Sequence, residues 1–273
     1  MTIFTRWAGA AILAALIASL ARGRRSLTVG GAVAATFVGT LTFAPGGLSA
    51  AAALVTFFVT SSALSHFKEA EKARRGVLAQ AKGGERDALQ VLANGGVATL
   101  SLALAGPRGA GAFLGALATA GADTWATELG LLAGTSPRLL TTLRRVPPGT
   151  SGAITVEGTL ASIAGATVVG AAWSLAGGSA APTVRAAARA LLTATLAGTL
   201  GALVDSLLGA TLQAVYHCPA CSAPTETRIH ARCGRPAQLV RGLPRIDNDA
   251  VNALATLAGA LLGTALWQGF RND

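Results

Sequence analysis

The sequence predicts an all-α protein, a polytopic membrane bundle of about eight transmembrane helices with a short Cys/His loop. Three observations carry that prediction. Of 273 residues, 52% are hydrophobic and only 12% charged, about half the ~25% charge of a soluble domain. Apolar runs long enough to cross a bilayer recur along the whole chain. The basic residues sit in the short connectors between those runs, which is an orientation signal. The net charge of +10 therefore reports topology and not a nucleic-acid partner. Abundant Ala and Gly suit close helix packing in a membrane, and the chain reads as one transmembrane domain, residues 1–273.

Read with a window of about 19 residues, the segments run Ile3–Leu20, Leu27–Phe43, Leu48–Ser65, Ala88–Ala105, Gly109–Ala133, Gly152–Ala176, Ala187–Val215 and Asp249–Phe270. The first resembles a signal peptide, but Arg22, Arg24 and Arg25 follow it at once, so it is read as a retained helix. With the amino terminus outside, the inner connectors 21–26, 66–87, 134–151 and 216–248 hold 3, 6, 3 and 5 basic residues, 17 of the 22. The positive-inside rule then puts both termini outside and the long loops in the cytoplasm. The connector from Lys68 to Asp87, with Lys72 and Lys82, reads mostly as a solvated, mixed-charge helix face.

That topology gathers polar residues near one leaflet: Gln90 and Asn94, Asp123 and Glu128, Glu157, Asp205, and Asp249 with Asn252. A charge at membrane depth costs at least ~2.5 kcal/mol, so a shared site at the cytoplasmic end is the simplest account. Asp123 and Glu128 are five residues apart, about 140° around a helix, so either the helix is distorted or they serve different partners. Mg²⁺ typically takes one or two carboxylates plus substrate phosphates; the alternative is a structural ion pair. Thr124 shares a face with Glu128. Asp205-Ser206 and Asp247-Asn248-Asp249 offer further oxygen ligands, although Asp247 to Asp249 also suits a helix cap.

The stretch Arg138 to Gly152 ends Pro147-Pro148-Gly149-Thr150-Ser151-Gly152. Gly149 and Gly152 allow amides to converge on an anion, Thr150 and Ser151 can cap the sixth helix, and Arg138, Arg144 and Arg145 can clamp phosphate oxygens. An ordinary basic connector with a Pro-Gly turn fits the same residues. No GxxxxGK[ST] motif occurs, which excludes a P-loop nucleotide site. In the loop 216–248, Cys218, Cys221, His230 and Cys233 match a Cys₃His zinc knuckle, with a thiol cluster as the alternative.

Five motifs in order resemble one integral-membrane family, that of plant phytyl-phosphate kinase and transmembrane protein 19. They are 84–96 (GERDALQVLANGG), 122–130 (ADTWATELG), 137–142 with 146–152 (PRLLTT and VPPGTSG), 205–213 (DSLLGATLQ) and 247–252 (DNDAVN). The resemblance covers roughly residues 22–265. It implies transfer of phosphate from a nucleoside triphosphate, typically CTP, to an isoprenyl monophosphate. On that reading Asp123, Glu128 and Asp205 hold Mg²⁺, and Arg138, Arg144 and the Gly149–Gly152 amides hold phosphate oxygens. Gln90, Asn94, Thr124, Asn248, Asp249 and Asn252 contact or orient the substrates. The Cys/His loop is not part of the plant pattern. Two other functions fit similar residues: a carrier or flippase for isoprenoid lipid phosphates, and a cytidylyltransferase acting on a lipid phosphate. The oligomeric state is not legible in the sequence.

Overall fold

A computed structural model of the chain describes residues 2–75, 84–177, 183–231 and 233–272. The helices are α1 (Ile3–Gly23), α2 (Val29–His66), α3 (Glu69–Arg75), α4 (Ala88–Ala105), α5 (Ala110–Gly130), α6 (Val156–Leu175), α7 (Val184–Thr211) and α8 (Asn248–Asn272). Five short strands lie in the connectors: β1 (Arg138–Leu139), β2 (Ala153–Ile154), β3 (Val215–Cys218), β4 (Ala223–Thr225) and β5 (Gln238–Arg241). Side-chain caps recur, with Thr2, Thr28, Thr155 and Thr183 accepting from the first-turn amides of α1, α2, α6 and α7.

Six continuous helical stretches are long and apolar enough to cross a membrane among the described residues, and two of them hold two apolar segments each. The first is α2, whose 38 residues would span about 57 Å if straight, nearly twice a bilayer core. It breaks after Pro45, where Gly47 takes φ 63° and ψ −156°. In a straight helix Thr28 and Phe57 would lie about 43 Å apart. Instead both meet Arg86, whose carbonyl accepts from the Thr28 amide at 3.1 Å and whose guanidinium lies 5.7 Å from the Phe57 ring. The chain therefore doubles back at Gly47. A 3₁₀ turn, Gly106–Gly109, reverses it again between α4 and α5. The eight apolar segments become eight antiparallel legs.

Helix α5 is the axis of the bundle. Phe113 to Ala118 are fully buried, and α6, α7 and α8 all pack on it. A Cβ on Gly115 would sit 2.0 Å from the Gly259 carbonyl oxygen, so α5 and α8 approach backbone to backbone, as small residues permit in membranes. The interior is made largely of Ala, with Thr42 and Thr99 hydroxyls 3.0 Å apart. Large apolar side chains such as Leu16, Phe37, Leu160 and Leu261 point outward. That inversion suits lipid as the surrounding solvent.

Two element boundaries differ most from the expected ones. The sixth helix starts at Val156, not Gly152, because Gly149 and Gly152 take φ 79° and the chain pairs β2 with β1 before turning helical. Thr155 caps it through Gly158 N–H at 2.9 Å, so Thr150 and Ser151 do not. The seventh ends at Thr211, and Val215 opens strand β3. The connector 67–87 contains α3, and its part 76–83, with Lys82, lies outside the described residues.

Candidate functional site

One cavity of about 790 Å³ opens at the end of the bundle that carries the long connectors. Its walls come from the ends of α2, α4, α5, α6, α7 and α8, from α3, from the loop 148–155 and from the β3–β4 insert. Gln90, Asn94, Asp123, Thr124, Glu128, Gly149, Thr150, Ser151, Gly152, Asp205, Asn248, Asp249 and Asn252 all line it. Glu157 does not: its carboxylate accepts from the Thr135 hydroxyl at 2.7 Å. Arg138, on β1, and Arg144, in the turn that follows, also fall outside the lining: both are exposed, and Arg138 donates to the Leu143 carbonyl at 2.8 Å.

The two carboxylates of α5 have separate partners, and the helix between them is regular. Glu128 is neutralised: Lys72 Nζ donates to one oxygen at 2.5 Å and Ser65 Oγ to the other at 2.7 Å. Lys72 is itself buried, and its ammonium also donates to the Leu64 and Ser65 carbonyls at 2.6 and 2.8 Å. Five residues earlier, Asp123 neighbours Asp205 of α7 on the same cavity, close enough for the two carboxyls to interact. Asp205 Oδ2 is buried and receives no donor among the described residues. Two facing carboxylates with no basic partner require a shared proton or a cation between them. The oxygen-rich surroundings, with Ser206, Asn94 and Asn252 on the same cavity, suit a hard divalent ion such as Mg²⁺.

The remaining polar residues have partly committed roles. Gln90 forms a capping box with Asp87, and its carbonyl accepts from Asn94 Nδ2 at 2.9 Å. Thr124 donates to the Ala120 carbonyl at 2.8 Å. Asp247 caps α8 through the Ala250 amide at 3.0 Å, leaving Asn248, Asp249 and Asn252 on the cavity wall. In the glycine loop, the amides of Gly149, Ser151 and Gly152 donate to no backbone carbonyl among the described residues, whereas that of Thr150 donates to Pro147 at 3.3 Å. Gly152 is seated against α7 so closely that a Cβ would lie 2.2 Å from the Ala210 nitrogen.

The cations on the cavity are Lys72, Arg86 and Arg228, none of them singled out by the motifs as a phosphate ligand. Burial pulls the Arg86 guanidinium down to about 10 against the opposing pull of Glu128, so it stays charged at neutral pH. Arg86, Gln90 and Asn94 line a second feature as well, an apolar crevice between α1, both legs of α2 and α4. Lys72 belongs to the stretch expected to be solvated. The rest of α3 fits that expectation, with Glu71 paired to Lys68 and Arg75 at 3.5 and 2.7 Å. Arg75 also donates to the Leu132 and Ala133 carbonyls at the end of α5.

In the insert, β3 pairs antiparallel with β4 and β5. Cys218, Cys221, His230 and Cys233 bring their ligand atoms within 4.8 Å of one another, a group able to hold a metal ion. The Arg235 backbone amide pulls the Cys233 thiol down to about 6, with His230 adding to it. The insert reaches the cavity through Glu226, which accepts from Ser151 Oγ at 2.8 Å and Gln213 Nε2 at 2.9 Å.

Comparison with known proteins sets this geometry in a family. The model of the integral membrane protein family DUF92 matches residues 12–260. Protein PGR of Arabidopsis thaliana is 35% identical over 179 residues, which is 59% of this chain and 62% of that protein. A membrane protein of Synechocystis is 33% identical over 167 residues, 58% of this chain and 64% of its own. Protein VTE6, chloroplastic, of Arabidopsis thaliana is 33% identical over 145 residues, 50% of this chain and 44% of that protein. The chain thus spans less than two thirds of the length of these relatives. No solved structure matches it. The family anticipated from the five motifs is the one found: the chain belongs to the DUF92 family of integral membrane proteins.

Proposed function

We propose that this protein is a membrane-embedded isoprenyl monophosphate kinase, Mg²⁺-dependent, that moves a phosphate from CTP or another nucleoside triphosphate to a lipid monophosphate. The observation that carries this reading is the division of the 790 Å³ cavity. Neighbouring carboxylates without a basic partner among the described residues, Asp123 and Asp205, occupy one part, and amides and cations fit for phosphate occupy the rest. The resemblance of the five motifs to the family of plant phytyl-phosphate kinase supports it.

In this reading Asp123 and Asp205 hold Mg²⁺. Bound there, the ion would neutralise the nucleotide phosphates and the group in transfer. Glu128, expected as a third ligand, is occupied by Lys72 and Ser65, so it fixes Lys72 at the cavity instead. The amides of Gly149, Ser151 and Gly152 receive donor phosphate oxygens, and Arg86 draws in the lipid phosphate, since all three Lys72 ammonium donors are already committed. Asn94, Asn248 and Asn252 orient the two. An oxygen of the lipid monophosphate attacks the γ-phosphorus, the bond from that phosphorus to the β–γ bridging oxygen breaks, and the nucleoside diphosphate leaves. The attacking oxygen is already deprotonated at neutral pH, so no general base is needed. The apolar crevice ending at Arg86, Gln90 and Asn94 suits the isoprenoid tail, and the positive-inside count supports a cytoplasmic opening, where nucleotide is available.

One observation favours a second reading. A shared proton between Asp123 and Asp205 would suit a proton-coupled carrier of lipid phosphates. A product assay on detergent-purified protein with Mg²⁺, phytyl monophosphate and each of CTP, ATP, GTP and UTP separates the functions. Lipid diphosphate with nucleoside diphosphate is the expected result. Pyrophosphate release would mean a cytidylyltransferase, and saturable lipid-phosphate binding without turnover on any donor would mean a carrier.

A further inference from the structure

The insert between α7 and α8 is poorly held by its own packing. Its strands are 4, 3 and 4 residues long, below what an isolated small sheet needs. Val215 and Tyr216 are buried, but Ile229, Leu239, Val240 and Leu243 are exposed. Such a segment generally needs a staple. The four ligand atoms provide one. Cys218 closes β3, Cys221 follows in the turn to β4, and His230 and Cys233 stand on a second turn closed by Gly234 N–H to His230 O at 2.8 Å. Cys218 Sγ is 3.5 Å from Cys233 Sγ, and His230 Nδ1 is 3.3 Å from the same sulfur. A tetrahedral zinc with bonds of about 2.3 Å to sulfur and 2.0 Å to nitrogen has edges of roughly 3.5–3.8 Å, close to this spacing.

The knuckle is coupled to the phosphate side of the cavity from two directions. Glu226, next after β4, takes the Ser151 hydroxyl, and Arg241 of β5 donates to the Ser151 carbonyl at 3.1 Å and the Gly209 carbonyl at 2.9 Å. Ser151 is therefore gripped at side chain and backbone by the strands that the knuckle ties together. Glu226 and Arg228, both between Cys221 and His230, also form part of the cavity wall.

We propose that Cys218, Cys221, His230 and Cys233 bind one thiolate-preferring divalent metal ion, Zn²⁺, and that this ion holds the Gly149–Gly152 loop in its phosphate-receiving shape through Glu226 and Arg241. The relevance of that hold to turnover rests on the kinase reading; the metal and its grip on Ser151 do not. The class of metal follows from three sulfurs and one imidazole, a soft set that disfavours Mg²⁺ and Ca²⁺.

The test uses the full chain in detergent. Elemental analysis is expected to find one zinc per chain. Exchange for Co²⁺ is expected to give tetrahedral d–d bands and a thiolate charge-transfer band, both lost in Cys233→Ser. Hydrogen exchange is then followed at 150–153. Chelation of wild-type protein should speed it roughly tenfold, the effect of one or two lost hydrogen bonds. Glu226→Ala should speed it comparably while keeping the metal. Absence of zinc together with no Co²⁺ uptake, or a Cys218–Cys233 disulfide in protein purified under reducing conditions, would overturn the site. Unchanged exchange after metal removal would overturn the coupling. If Cys233→Ser does not fold, the chelated wild type and Glu226→Ala still decide. Intact metal and coupling without any product would count against the kinase alone.

Discussion

Asp123 and Glu128 stand on the same helix, five residues apart, at the same cavity, and their surroundings divide them. Glu128 meets an ammonium and a hydroxyl brought by the end of α2 and by α3. Asp123 meets another carboxyl, brought by α7. A carboxylate near membrane depth that has its counter-charge is accounted for as architecture. A pair without one is a standing demand for a cation or a proton. The difference favours the proposal that Glu128 belongs to the wall and Asp123 with Asp205 to the chemistry, and it yields four predictions.

The largest effect is expected at the facing pair. Asp123→Asn and Asp205→Asn should each lower kcat roughly 10³-fold, the scale on which loss of a charge-neutralising group acts in phosphoryl transfer. Thermal unfolding in detergent should be unchanged or slightly raised, because each substitution relieves like-charge contact. Near-wild-type turnover in both variants would erase the distinction. The second effect lies on the other side of the comparison. Lys72→Met should cost about 3 kcal/mol of stability by stranding Glu128, as when one partner of a buried pair is removed. Lys72→Met combined with Glu128→Gln should recover most of the lost melting temperature. A double variant no more stable than the single would show that the pair is not structural.

Third, Gly152→Ala should disturb the proposed phosphate loop by about 1–3 kcal/mol, since the position takes a positive φ and a Cβ there would collide with α7. Its signature is a raised KM for nucleotide, measured in the product assay. The smallest effect is expected at Arg138→Ala and Arg144→Ala, whose side chains turn away from the cavity. Kinetic constants should move less than about threefold, the scale of a surface substitution. A large change there would return these arginines to the site.

What was legible in the sequence follows a physical line. Long apolar runs and the positive-inside bias act over whole segments, so all eight legs and the convergence of Gln90, Asn94, Asp123, Asp205 and Asn252 could be read from spacing. Contacts that depend on how a connector folds back could not. Lys72 sits in a run with the pattern of a solvated helix, and only the seating of α3 on the end of α2 buries it. In the sequence Arg86 is one more positive-inside charge; its lodging against Phe57 and Phe58 depends on the hairpin at Gly47. Gly-Thr-Ser-Gly before an apolar run read as a helix start, yet the pairing of β1 with β2 spends those residues in a turn and passes the cap to Thr155. Glu226 carries no signal of its own, lying between the Cys and His residues of a loop the family pattern does not describe. A carboxylate within a Cys/His knuckle beside a glycine loop is the kind of signal that could have found it.

The most direct test of the central claim is Mn²⁺ binding, followed by electron paramagnetic resonance in the presence of nucleoside triphosphate. Wild-type protein and Lys72→Met should each bind one Mn²⁺ saturably, displaced by Mg²⁺, and Asp205→Asn should lose that binding. Equal binding in Asp205→Asn and wild type, or none in wild type with any nucleotide, would contradict the assignment of the facing carboxylates as the metal site.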